Sequence, residues 1–405
     1  MALLYGHREE LFMNRNQLRS FIVWCGIASS LLPSPRSYAA APELKVLHHS
    51  VVNDEIVDAQ TPTGLVKDPS DDSLVLAFQD HGDVVAGTVT HYVRSTDGGQ
   101  TWGKPFASYQ HPDKKVGAGV GYVQLTPQRC VAVIMEISHT DVTVEGFKAP
   151  RKSRTVFAEF DPRTAKLTPV AVIPQPEDTL VGVMATNLFQ LSNGDLILPA
   201  YQVPMDFSRP KSGLTYGSGL FRSRDGGKSW SEFELVFGKN EVHPDIFYNE
   251  SVIFEKPDGT LVAWARYDND TPPAQRFMGI TFSQDAGRSW SPPKDSSIPA
   301  ICPSRLRCTD GSYLMFAGAL DAAIPRTCML YHSPDGETMT QLGVPFYTRT
   351  NGRPQNTATG GSQVLIHLKD DQYVLSFYAA DKLLPGRDHT YIDSNVVEIN
   401  SRSPR

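Results

Sequence analysis

One short motif, written three times along the chain, constrains this sequence more than any other feature. It has the form Ser-x-Asp-x-Gly-x-x-Trp and reads STDGGQTW from Ser95, SRDGGKSW from Ser223 and SQDAGRSW from Ser283. A fourth copy, SPDGETMT from Ser333, keeps Ser, Asp and Gly and lacks the Trp. Each residue type suits a tight turn. Ser and Asp cap backbone N–H groups, Gly supplies a positive φ, and Trp covers the turn with apolar area. A strand-like run precedes every copy (THYVRS, GSGLFRS, MGITFS, CMLYHS), so each turn is expected to join two strands of one sheet.

The spacing of the copies sets the number of units. Their aspartates are Asp97, Asp225, Asp285 and Asp335, and the first gap is about twice the others. A unit with a degenerate turn is therefore expected in that gap, at TVFAEFDPRTAKLT around Asp161. A second pattern, out of phase with the first, reads strand, acidic or amide turn, strand: DDSLVLAF, SNGDLILPAY, KPDGTLVAWAR, CTDGSYLMFAG and KDDQYVLSFY. With a unit of about 60 residues, the chain after residue 41 holds six. The expected fold is all-β: a single six-bladed β-propeller over residues 42–405, with functional groups at the ends of the inner strands.

Composition agrees with this and excludes other classes. The 405 residues include 31 Gly and 30 Pro, and no apolar heptads run long enough for a coiled coil. A formal charge of -6 gives no footprint for nucleic acid, so an anionic ligand must be caught by local cations. Residues 1–41 read as a signal peptide. Met13 opens it better than Met1, with Arg15 and Arg19, an apolar stretch from Phe21 to Leu32, and small residues up to Ala41. That stretch is shorter than the roughly 20 residues of a membrane span, so the expectation is a secreted or periplasmic protein without an anchor. Export leaves Cys130, Cys302, Cys308 and Cys328, an even number in an oxidising compartment, where at least one disulfide is expected. No metal-ligand spacing, P-loop, dinucleotide fingerprint or nucleophile elbow is present, and no cofactor is expected.

At the level of whole motifs the chain resembles the sialidase superfamily, propellers whose turns are the Asp boxes seen here. NGDLILPAY followed by GLFRSRDGGKSW is similar to that family's third blade. In NESVIFEKPDGTLVAWAR, Glu250 and Arg266 match the catalytic glutamate and the second of three substrate-binding arginines. In PRTCMLYHSPDG, Arg326 matches the third arginine. The resemblance implies an exo-glycosidase that removes a terminal, acidic sugar from a glycan. Guanidinium groups suit a sugar carboxylate because they offer bidentate, charge-assisted bonds. Asp83, on the loop FQDHGDVVAGTVTHYVRS beside Asp80 and His81, matches the general acid.

Two positions depart from the family's pattern. The place of the first arginine reads Gln60-Thr61-Pro62-Thr63-Gly64, and the place of the nucleophilic tyrosine reads Asn356 to Ser362 without a tyrosine. Tyr347 and Arg353 are nearby substitutes only if their loops are rebuilt. Glu250 and Asp83 are then expected to act directly as base and acid. Two alternatives stand beside this. His243 and Tyr248, flanking Glu250 in EVHPDIFYNES, fit substrate contacts or the base pair of a polysaccharide lyase acting on uronates. A non-catalytic glycan-binding propeller would account for the missing residues.

Overall fold

The computed structural model of the chain describes residues 42–53, 61–80, 84–144, 147–176, 179–204, 217–238, 246–269, 277–319, 328–342, 363–384 and 387–400. Among them the regular structure is almost entirely β, with one 3-10 turn at Ala185–Asn187.

The strands fall into antiparallel groups of four. The first comprises Thr61–Lys67, Leu74–Gln79, Val89–Ser95 and Ala107–Gln110, and the second Val116–Thr126, Arg129–Val144, Phe147–Asp161 and Lys166–Ile173. The third comprises Thr179–Val183, Leu196–Pro204, Gly217–Ser223 and Glu234–Phe237, with the short Phe189–Gln190 added. The fourth runs Ile246–Glu255, Leu261–Asn269, Met278–Ser283, Lys294–Asp295, and the fifth Ala300–Arg307, Tyr313–Ala319, Cys328–Ser333, Thr340–Leu342. The last begins Gln363–Lys369, Gln372–Leu384, Arg387–Asn400 and is completed by the N-terminal strand Glu43–Asn53, which pairs Glu43 with Asn400.

These groups make five hydrogen-bonded sheets, where the repeat count led us to expect six separate ones. The first and second groups fuse into one eight-stranded sheet through a single parallel pair, Gly64 with Tyr122. Gly64 permits this. A Cβ there would sit 2.4 Å from the Tyr122 Cβ, so only glycine lets the two backbones approach to bonding distance.

The buried apolar side chains divide into six clusters, and each is shared by two consecutive groups. Val75 and Tyr92 of the first group pack with Val120 and Phe160 of the second. The series ends with Val364 and Val374 of the sixth group packed against Leu65, Leu74 and Phe78 of the first. The first strand of each group is called its leading strand below; in the first and sixth groups it is covered on both faces, with Thr61–Lys67 buried except at Thr63 and Lys67 and Gln363–Ile366 buried throughout.

The motif turns behave as their chemistry requires. In the copy at Ser223, the Ser223 hydroxyl accepts the Gly227 N–H at 2.8 Å and donates to Asp225 at 2.9 Å. Asp225 Oδ1 accepts the Ser229 N–H at 2.9 Å, and Trp230 Nε1 donates to the Gly227 carbonyl at 3.1 Å. The copies at Ser95 and Ser283 repeat the serine and aspartate bonds. At Ser333 the turn is one residue tighter: Ser333 accepts from Gly336 instead of a residue four on. Its missing tryptophan is replaced from the preceding group, as Trp264 Nε1 donates to the Gly336 carbonyl at 2.8 Å. The degenerate turn expected at Asp161 is present between Phe147–Asp161 and Lys166–Ile173, with Asp161 accepting from the Arg163 N–H and the Thr164 hydroxyl. Gly227, at φ +101°, lies so near the second group that an added Cβ would meet the Phe157 ring at 2.1 Å. The motif turns therefore dock each group on the one before it.

The expected disulfide is absent among the described residues. Cys130, Cys302, Cys308 and Cys328 are thiols. Cys130 and Cys328 are buried in different apolar clusters, which keeps them apart.

Candidate active site

Register shifts interrupt five of the six leading strands among the described residues, and three of them build the site. In the fourth group the register shifts between Tyr248 and Ser251, leaving Asn249 and Glu250 outside the ladder. In the fifth the shift between Ile301 and Ser304 frees Cys302 and Pro303, and in the first the shift between Pro62 and Gly64 frees Thr63. Bulges re-aim side chains that a regular strand would send into the core or the next sheet. Here they release a carboxylate. Glu250 lies inside the strand Ile246–Glu255, at the bulge.

Glu250 is held by partners from two groups. Its Oε2 accepts from Arg266 NH1 at 3.2 Å and from the Cys302 N–H at 2.9 Å, while its own N–H donates to Asn249 Oδ1. The two charged side chains are 16% and 18% exposed, so the pair is largely sheltered yet reachable. Cys302 has φ +47°, a left-handed conformation uncommon outside glycine, and this turns its N–H toward the carboxylate. Two donors on Oε2 fix the carboxylate's orientation. Oε1 has no hydrogen bond among the described residues. The hairpin of Ile246–Glu255 and Leu261–Asn269 sets Arg266 opposite the bulge and so beside Glu250.

Two buried amides lock this arrangement. Asn187, fully buried at the end of the 3-10 turn, donates to the Ser251 carbonyl at 3.0 Å and to the Pro303 carbonyl at 2.6 Å, and accepts the Arg305 N–H at 3.2 Å. It thus ties the third group to the bulges of the fourth and fifth. The Gln363 side chain, on a residue 2% exposed, donates to the carbonyls of Phe316 at 2.7 Å and of Cys302, and the Gln363 backbone carbonyl accepts from the Ser304 hydroxyl at 2.6 Å. Neither amide stands in a motif, so neither was singled out in the sequence. The only signal is a polar side chain in a leading segment where an apolar one is the rule.

The other expected site residues fare differently. Tyr248 is a correction: it is 1% exposed, its ring lies 4.8 Å from that of Phe237, and Gly279 gives it space that a Cβ would invade at 2.4 Å. It fills the core between the third and fourth groups, and burial this complete leaves no ring face for a ligand. His243, Arg326 and Asp83 lie outside the described residues, as do His81, Tyr347 and Arg353. Asp80 is described, and its carboxylate caps the Val89 N–H at 2.9 Å. At the place of the absent first arginine, Thr63 occupies the bulge, and its buried hydroxyl has no partner among the described residues.

Residues 158–341 match the family model described as a BNR repeat-like domain. No curated protein sequence matches the chain. Among solved structures, a protein of unknown function from Dyadobacter fermentans superposes with a TM-score of 0.65 at 18% identity, over 89% of this chain and 100% of that one. An α-L-arabinanase from Penicillium chrysogenum, in complex with arabinobiose, gives 0.57 at 13% identity, over 87% and 98%. The intramolecular trans-sialidase from Ruminococcus gnavus gives 0.56 at 12% identity, over 88% and 98%. At these identities what is shared is the fold.

Proposed function

We propose that this divergent BNR protein, sialidase-like in fold, is an exported exo-glycosidase whose active site centres on Glu250 and Arg266, and whose four-stranded groups are six blades of a propeller. The blade reading rests on the six apolar clusters, each joining one group to the next and the last to the first. The observation that carries the functional reading is the sheltered Glu250–Arg266 pair at the bulges of the leading strands. Residues 1–41 act as the export signal.

In this reading Glu250 is the base. Its Oε1 takes a proton from an attacking water while Oε2 stays bonded to Arg266 and Cys302, and Asp83 protonates the leaving glycosidic oxygen. Such a direct acid and base pair inverts the anomeric centre when the carboxylates stand about 6.5 to 9.5 Å apart. Arg266, with Arg326, binds the carboxylate of a terminal acidic sugar. The burial of Tyr248 counts against the lyase alternative, which needs it beside the substrate. The partnered, sheltered Glu250 counts against a purely glycan-binding scaffold.

The test is turnover by the purified mature chain on sialosides, related nonulosonates, uronates and arabinofuranosides, with Glu250→Gln beside it. The expected result is hydrolysis of an acidic glycoside and a loss of at least about a hundredfold in kcat for Glu250→Gln, as for removal of a general base. Unchanged turnover in that variant rejects Glu250. Products absorbing as unsaturated uronides move the protein to the lyases.

A further inference from the structure

A second site lies along the same leading strands, beyond the bulges. A cavity of about 540 Å³ is lined by the later residues of these strands, among them Leu65 and Lys67, Glu255, Arg305 and Arg307, and Ile366 and His367. None of the residues that hold Glu250 lines it. Exposed residues at its edge, such as Gln190, Pro127 and Arg307, open it to solvent. Its volume suits a small ligand rather than a polymer.

Apolar and polar residues share its walls about equally, with Leu65, Leu125, Leu188, Leu191, Val364 and Leu365 on the apolar side. Several charged groups interrupt that lining, Arg305 among them. The Arg305 guanidinium is stacked on the Phe189 ring, 3.6 Å from its centroid. Among the described residues it has no carboxylate within ion-pairing distance and no hydrogen-bond acceptor, although its backbone N–H is bonded to Asn187. Of the other charges, Arg307 lies at the exposed rim, Lys67 Nζ donates to the Leu368 carbonyl at 2.6 Å, and the Glu255 carboxylate accepts the Ser192 N–H and hydroxyl at 2.8 and 2.6 Å. Burial draws Arg305 down to about 10, still well above neutral pH, so the group remains a cation. A stacked guanidinium keeps its N–H edge for a planar acceptor, and stacking fixes the direction in which that edge points.

We infer that this cavity is a binding site for a small organic monocarboxylate, whose carboxylate takes the open edge of Arg305 and whose apolar body lies against the leucine and valine walls. Arg307 stands at the exposed rim and Lys67 is tied to a carbonyl, so the interior offers one open guanidinium edge, which matches a single carboxylate. A compact dianion such as phosphate would leave the walls uncovered and face the Glu255 carboxylate. The site is separate from the glycosidase reading and does not depend on it.

Sodium benzoate, titrated calorimetrically into the purified protein, is the probe, with inorganic phosphate as a second arm. We expect saturable one-to-one binding of benzoate to the wild type and to Glu250→Gln alike, with weaker binding of phosphate. In Arg305→Met the affinity should fall at least tenfold. Arg305→Lys keeps the charge and the aliphatic stem, so it covers the case in which the methionine variant does not fold, and it too should lose tenfold because it lacks the planar fork. The inference is overturned if benzoate does not bind the folded wild type at millimolar concentration, if it binds the Arg305 variants as tightly, if phosphate binds better, or if Glu250→Gln abolishes binding.

Discussion

Replacing Asn187 by alanine should unsettle the fold and the active site together. The side chain makes three hydrogen bonds in a place with no exposure, two as donor and one as acceptor. Alanine leaves the Ser251 and Pro303 carbonyls and the Arg305 N–H without partners. Each orphaned buried group costs about 1–3 kcal/mol, for a ceiling near 9. The space vacated admits about one water, which recovers part of this, so the expected loss is about 3–5 kcal/mol. Urea denaturation followed by fluorescence reads it as a lower midpoint at unchanged slope. Asn187→Asp sharpens the test. It keeps the acceptor for Arg305 but sets an anionic oxygen against two carbonyls, so at pH 7 it should be at least as damaging as alanine. Burial raises the carboxyl's pKa, and the protonated form regains one donor, so its deficit against wild type should shrink as pH falls. A loss below about 1 kcal/mol in the alanine variant, or an aspartate deficit that grows on acidification, would refute the claim that this amide joins three groups.

Three further outcomes follow from the turns. Gly227→Ala should cost about 2–5 kcal/mol, from positive φ plus overlap with the Phe157 ring, whereas Gly194→Ala, at φ +94° with nothing within 4 Å, should lose only about 1–2; equal losses would remove the docking role of the motif glycine. Trp264→Phe should destabilise by about 2 kcal/mol because the Gly336 carbonyl loses its donor, and thermal unfolding of the variant would show no shift if the tryptophan were mere filling. The Asp225 carboxyl is held down at about 2 by the Ser229 hydroxyl and N–H, from an ordinary value of 3.8. Its folded-state pKa lies below its unfolded one, so its stabilising contribution is complete above about pH 4 and disappears as pH falls toward 2. Asp285 is lowered for the same reason, by Ser289. The melting temperature of Asp225→Asn should therefore fall less steeply than that of the wild type between pH 4 and 2, and parallel curves would count against the assignment.

What could be read from the sequence was whatever local chemistry repeats. The turns at Ser95, Ser223 and Ser283 depend on residues within eight positions of one another, so their hydrogen bonds were legible from spacing alone. The same holds for the hairpin that carries Glu250 and Arg266 to one end of a strand pair. What was not legible depends on neighbours distant in the chain. The Trp264 that completes the turn at Ser333 comes from another group, and the left-handed Cys302 bonded to Glu250 reflects a bulge that no residue pattern announces. Tyr248 was misread because its proximity to Glu250 in sequence suggested proximity in function. A regular strand alternates its faces, and the ring went to the core while the bulge turned Glu250 away from it.

The pairing of Glu43 with Asn400 places the first described strand beside the last in one sheet. Strand Arg387–Asn400 is made long after Glu43–Asn53, so until then the ring of contacts has no closing member. The sixth group lacks its edge pairing and the first lacks its packing partner until that strand has emerged. Contacts this far apart in sequence form late and slowly.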